Sequence, residues 1–181
     1  VGRKISHRKG NGETVNRNLS AIFMNLNLCS GTFPIQGCVN VDIRKYDRTD
    51  VVCDARYLPF KDGSFKYIFF IHAIEHFTYD EAMDILRNLK RILNLKGILH
   101  IEGPDIIKTA LHYHNHNRIA EFMFGSLDEI RRNPLYTHKW GYTGSKVWQE
   151  LKNLGFGVSE VNPGSAHGLP DRDYKVIGVK Q

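Results

Sequence analysis

Short apolar runs, each closed by a polar or small residue, dominate the first half of the chain. They read Leu26-Asn27-Leu28-Cys29-Ser30-Gly31-Thr32, Val39-Asn40-Val41-Asp42-Ile43, Val51-Val52-Cys53-Asp54-Ala55 and Tyr67-Ile68-Phe69-Phe70-Ile71-His72. Runs of this length, too short for helices, predict buried strands over Met24–Leu28, Cys38–Ile43, Val51–Cys53 and Tyr67–Ile71. A period of three and four replaces them at Ala82, Ile85, Leu86, Leu89, Ile92 and Leu93, which predicts an amphipathic helix. Thr78 and Glu81 form a capping-box pair at its start, and Lys90 and Arg91 suit the negative end of its dipole. Gly97 follows the helix stop, and Ile98–Ile101 reads as a fifth strand.

The second half is less regular. Pro104-Asp105 opens a predicted helix to about Tyr113, and Arg118–Ile130 is helical in pattern. Pro134–Thr143 is a loop rich in rings: Tyr136, His138, Trp140 and Tyr142. A last helix, Ser145–Leu154, ends at Gly155. Closing strands follow at Val158–Val161 and Lys175–Val179, joined by a loop over Asn162–Arg172. Leu19–Phe23 reads as a short helical turn. Only Ser30–Gly37 separates the first two strands, too short for a crossover helix, which needs at least ~10 residues with its loops. Strand–helix alternation with an antiparallel finish predicts an α/β fold: a Rossmann-like three-layer sandwich with a mostly parallel sheet and an antiparallel C-terminal strand. In such a sheet Gly31, Asp42, Asp54 and His72 share one edge, where ligands bind.

Composition adds bounds. The 181 residues fit one domain, 1–181, with residues 1–23 a short N-terminal segment or lid. Apolar residues make up 41% and charged residues 24%, an ordinary balance for a water-soluble domain. The net charge of +6 favours anionic partners weakly, because outside the cluster Arg3, Lys4, His7, Arg8 and Lys9 the basic residues are dispersed. An odd count of cysteines, Cys29, Cys38 and Cys53, and no secretory segment predict a reducing, cytoplasmic setting with buried, inert thiols. No run approaches the ~20 apolar residues of a membrane span.

Residues 26 to about 105 resemble a class I S-adenosylmethionine-dependent methyltransferase of the type-11 domain group. The most specific segment, Asp54-Ala55-Arg56-Tyr57-Leu58-Pro59-Phe60-Lys61-Asp62-Gly63-Ser64-Phe65, is similar to the group's D-A-x-x-L-P-F-x-D-G-S-F signature. His72-Ala73-Ile74-Glu75-His76-Phe77 resembles the segment after the fourth strand, and Leu95-Lys96-Gly97-Ile98-Leu99 the turn into the fifth. The chain departs from the group after strand one, where Asn27 replaces an acid, Cys29 the first glycine and Phe33 the last. The resemblance implies S-adenosylmethionine as cofactor and S-adenosylhomocysteine as product. It places Cys29-Ser30-Gly31 near the methionyl part and Asp42, with Ile43 beside it, at the ribose. Asp54 and the backbone of Ala55 fall at the adenine, and His72 beside the sulfonium. His72 and His76 are the candidate catalytic bases, with Glu75 orienting one of them.

The acceptor class, a small molecule or a sugar or glycan, follows from the resemblance alone. Two alternatives stand beside it: a methyltransferase-fold interaction module without catalysis, which the eroded glycine turn motivates, and a nucleic-acid methyltransferase. Against the latter, no N-P-P-Y-type motif follows strand four. No G-x-G-x-x-G follows strand one, which disfavours a dehydrogenase. His72-x-x-Glu75-His76 matches the H-x-x-E-H zinc pattern, but that pattern needs both histidines on one helix face and His72 ends a strand, so no metal is expected. His112, His114 and His116 alternate along a polar stretch and do not form a preorganised ligand set. The oligomeric state is open between monomer and homodimer.

Overall fold

The computed structural model describes residues 24–181 apart from 114 and 167, together with all but the side chain of residue 116. The turn expected at Leu19–Phe23, the N-terminal basic cluster and His114 lie outside the described residues. The first strands fall close to their expected places: β1 (Met24–Leu28), β2 (Cys38–Asp42), β3 (Val51–Val52) and β4 (Phe65–Ile71). A 3-10 turn over Ile74–His76 leads into α1 (Tyr79–Ile92) and then β5 (Leu93–Pro104). Next come α2 (Ile106–His112), α3 (His116–Phe124), α4 (Leu127–Arg132) and a 3-10 turn over Pro134–Tyr136. The chain closes with α5 (Gly144–Asn153), β6 (Phe156–Val158), β7 (Asn162–Pro163) and β8 (Asp173–Lys180). The sheet runs β3-β2-β1-β4-β5-β8-β6, with β7 also paired to β8. Pairings among β1 to β5 are parallel, and β8 is antiparallel to β5, β6 and β7. This is the expected Rossmann-like α/β fold with an antiparallel finish. Among the described residues, no helix is long and apolar enough to cross a membrane.

The core forms where the periodicities place it. Leu26, Leu28, Val41, Ile68 and Phe70 from the strands pack with Ala82, Ile85, Leu86, Leu89 and Ile92 of α1, each of them buried. Fully burying one such side chain contributes about 1.5–3 kcal/mol. α1 starts as expected: the Thr78 side chain accepts from Glu81 N–H, and the Glu81 side chain accepts from Thr78 N–H.

Several expectations need correction. α1 passes straight into β5 at Leu93, so Gly97 follows the helix end as expected but is not a left-handed cap; the left-handed residue is Lys96, with φ of 62°. Gly97 is instead a close approach inside β5, where a Cβ would lie 2.6 Å from Asn94 Oδ1. The single helix expected over Arg118–Ile130 is two, α3 and α4. It breaks at Gly125, whose φ is 96° and whose Cβ would lie 2.5 Å from the Tyr136 carbonyl. β6 begins at Phe156, earlier than expected, and β7 occupies part of the expected loop. The three cysteines are free but half-buried, and burial pushes each thiol above its usual range. As expected, no helix links β1 to β2. Buried amides hold that link: Asn27 Nδ2 donates to the Phe33 carbonyl and to Asn40 Oδ1, which also accepts from Ile35 N–H at 2.8 Å.

Removing the helix cap tests the α1 boundary. Thr78→Ala should cost about 1 kcal/mol in urea unfolding, with the slope unchanged. No loss of stability would contradict the cap's role.

Candidate active site

Register brings the strand ends together. Leu28 pairs with Val41 on one side and Phe70 on the other, and Asp42 pairs with Val52. The residues that follow these positions therefore emerge along one edge. Cys29, Ser30, Gly31, Asp42, Ile43, Asp54, Ala55, His72 and His76 all line one cavity of about 870 Å³ at that edge. Ligand pockets commonly span ~300–1,000 Å³.

Two neighbouring strands end in strain at the cavity floor. Cys29, after β1, has φ of 57°, and His72, after β4, has φ of 46°. L-residues rarely adopt this conformation, and it is found preferentially at functional sites. Cys29 occupies the place of a glycine in the resembling family, and its φ is one that glycine takes without penalty. Gly31 also has positive φ, 50°, and a Cβ there would meet nothing within 4 Å, so space opens above the turn. Asp42 ties this turn to β2. Its Oδ2 accepts from Gly31 N–H and its Oδ1 from Arg44 N–H, both at 2.9 Å. Each carboxylate oxygen has a further lone pair beyond these bonds, and Asp42 lines the cavity.

Asp54 is held differently. Arg56 Nη2 and Nε reach it at 2.6–3.1 Å, and Arg56 Nη1 donates to Glu81 at 2.7 Å. The guanidinium hydrogen bond holds the Asp54 carboxyl below its ordinary range.

His72 lies between two buried carboxylates. Its Nδ1 is 3.6 Å from Glu75 Oε1 and its Nε2 is 3.2 Å from Asp173 Oδ2. Its backbone N–H donates to the Glu102 carbonyl at 2.8 Å. Burial would lower its pKa, but hydrogen bonds to Asp173 and Glu75 outweigh that and raise it to about 9. Burial likewise opposes ionisation of Glu75, yet His72 and the neighbouring histidines hold it at about 2. Arg172, itself buried, completes the group by pairing with Asp173. Two cations and two carboxylates thus compensate one another.

His76 takes a separate position. Its Nδ1 is 3.3 Å from the Thr137 carbonyl, and its ring meets that of His138 edge-on, with centroids 5.0 Å apart. His138 Nδ1 donates to the Phe122 carbonyl at 3.0 Å. The loop that carries His138 is pinned by Lys139 N–H, which donates to the Glu75 carbonyl at 2.7 Å. Burial lowers the His138 pKa.

Sequence reasoning missed Arg172 and Asp173, and named His138 only as one ring of a loop. Asp173 opens β8 and pairs in register with Pro104 at the end of β5. An antiparallel strand starts at the edge where parallel strands end, so the acidic cluster before the last strand was the available signal.

These features define a protein of the class I methyltransferase fold with its ligand cavity at the sheet's carboxyl edge. Residues 34–101 match the family model described as a methyltransferase domain, of the type-11 group. That segment, from the β1–β2 link through most of β5, is similar to a methyltransferase domain, a class whose cofactor is S-adenosylmethionine. No curated protein matches the chain in sequence. Solved structures share the fold. A SAM-dependent methyltransferase from Methanosarcina mazei has a TM-score of 0.61 at 14% identity, over 86% of this chain and 91% of that one. A Thermotoga maritima SAM-dependent methyltransferase, described as a possible histamine N-methyltransferase, gives 0.60 at 16% identity, over 87% and 82%. A SAM-dependent methyltransferase from Archaeoglobus fulgidus gives 0.60 at 16%, over 88% and 87%.

The buried and the exposed ion pair should differ sharply. Asp173→Ala should cost about 3–5 kcal/mol, because it strands buried cations. Asp54→Ala, beside the exposed Arg56, should cost no more than about 1 kcal/mol. Equal losses in denaturant titrations would contradict this division.

Proposed function

We propose that this chain transfers the methyl group of S-adenosylmethionine to a small-molecule or glycan acceptor. The observation that carries the reading is the convergence of Gly31, Asp42, Asp54 and His72, from separate strand ends, on one cavity. The residues fit the cofactor. The turn at Gly31 leaves open space for the methionyl part. Asp42 has free lone pairs for the ribose hydroxyls, and charge-assisted bonds of this kind are about twice as strong as neutral ones. Ile43, 44% exposed, offers an apolar edge, and Asp54 and Ala55 line the same cavity, which supports reading them as the adenine contacts. Cys29 and Ser30 line the cavity beside Gly31, which supports the same reading for the methionyl side.

When bound, the cofactor supplies an electrophilic methyl group. The chain's residues orient the acceptor, and orientation can account for up to about 7–11 kcal/mol of a barrier. His72, with both ring nitrogens facing carboxylates, serves to fix the cavity floor beside the reacting centre. The role of base belongs to His76, whose Nδ1 faces a carbonyl and whose Nε2 keeps its lone pair in the neutral ring. The outer wall mixes Arg118 and Arg132 with Glu121 and Glu129. This balance of charge suits a hydroxyl-rich small acceptor better than a polyanion, which calls for an uncompensated basic groove.

S-adenosylhomocysteine titrated calorimetrically should bind, and Asp42→Ala should weaken it at least ~10-fold, the loss of about one charge-assisted bond. Circular dichroism checks that the variant is folded. Unchanged affinity in a folded Asp42→Ala protein would contradict the ribose role.

A further inference from the structure

The cavity holds a second constellation beside the residues assigned to the cofactor. Glu75, His76 and His138 each offer a potential ligand atom, and these atoms lie within 4.8 Å of one another. Glu75 and His76 come from the 3-10 turn after β4, and His138 from the loop before α5. All three line the cavity. We propose that they form a binding site for a divalent first-row transition cation of the zinc or cobalt type.

Three independent features support the site. The first is the donor set, two imidazoles and one carboxylate. It is a set that such ions accept and that magnesium and calcium, which prefer all-oxygen surroundings, do not select. The second is the orientation of the rings. The Nδ1 of each faces a backbone carbonyl, Thr137 for His76 and Phe122 for His138. A carbonyl can only accept, so each Nδ1 carries the hydrogen and each Nε2 the lone pair. Metal-binding histidines are fixed in this way by a hydrogen bond from their other nitrogen. The third is Glu75, which is 3% exposed with Oε2 making no hydrogen bond. A buried carboxylate oxygen without a partner is costly, and an ion would satisfy it. Separations within 4.8 Å are in the range from which ligands can close on an ion at ~2.0–2.2 Å.

The spacing His72-x-x-Glu75-His76 suggested a different trio, and the structure exchanges one member. His72 turns to Asp173 at the strand end, and His138 takes its place from 66 residues further along, held by the Lys139–Glu75 backbone bond. Three protein ligands leave coordination positions open toward the cavity, where a hydroxyl or carboxylate of an acceptor can bind. That consequence rests on the methyltransferase reading; ion binding itself does not. An ion held there would take up the His76 lone pair and would act as a Lewis acid that lowers the pKa of a coordinated acceptor hydroxyl, whose proton would pass to solvent.

The test is a titration of Co²⁺ into untagged, chelator-stripped protein, followed by visible absorption, with Zn²⁺ competition. The expected result is a tight site whose Co²⁺ spectrum is displaced by Zn²⁺. Its affinity should fall at least ~10-fold in His138→Gln and in His76→Gln, and stay unchanged in the surface variant His112→Gln. Far-UV circular dichroism verifies folding, and either ligand variant suffices if the other does not fold. Absence of a tight site, or equal affinity in a folded ligand variant, overturns the proposal. S-adenosylhomocysteine is titrated into the same metal-free sample. Ion binding without cofactor binding sinks the methyltransferase reading and leaves the site standing. Cofactor binding without ion binding does the reverse.

Discussion

A buried imidazole held between two buried carboxylates is the constraint on which the rest of the site depends. His72 ends β4 in a strained conformation, and that strain persists because Glu75 and Asp173 hold its ring from both sides. Asp173 belongs to β8, so the clamp joins the parallel half of the sheet to its antiparallel finish. Glu75 does more than pair with the ring. Its backbone carbonyl accepts from Lys139 N–H, and so it brings a distant loop and His138 to the cavity. Without the clamp, the floor of the cavity and its far wall lose their common anchor.

A second anchor serves the cofactor side. The usual crossover helix is missing between β1 and β2, and Ser30–Gly37 must hold its shape by other means. Asp42 supports the turn from one end through Gly31 N–H, and the Asn27–Asn40 amide pair supports it from the other. Asn27, at the position where the pattern of the resembling family has an acid, is therefore a structural residue. It makes neutral hydrogen bonds to the link, and Asp42 remains the anionic group at the edge.

Local signals were sufficient wherever a rule acts within one turn or one strand. Met24–Leu28, the Thr78–Glu81 box and the Gly155 stop fall where expected because hydrophobic alternation, capping and positive φ are short-range properties. The roles of Gly97 and Gly125 were not legible from local pattern. Gly97 followed a helical pattern but serves a close contact with Asn94, and Gly125 sat unnoticed inside a pattern it interrupts. The edge residues Gly31, Asp42, Asp54 and His72 were legible because a parallel sheet aligns strand ends whatever the details of the loops. Asp173 and His138 were not, since each reaches the cavity through tertiary contacts, one by antiparallel register and one by a loop pinned to Glu75. The same contacts explain why His72 is a clamped residue and His76 the one with an available lone pair.

The most direct measurement of the central claim, that these strand ends form one cofactor cavity, is hydrogen–deuterium exchange with and without S-adenosylhomocysteine. The account predicts slower exchange together in peptides covering 29–33, 42–44, 53–56 and 71–76, with β6 and β8 unaffected. Ligand binding with no change in those peptides, or with protection confined elsewhere, would contradict it.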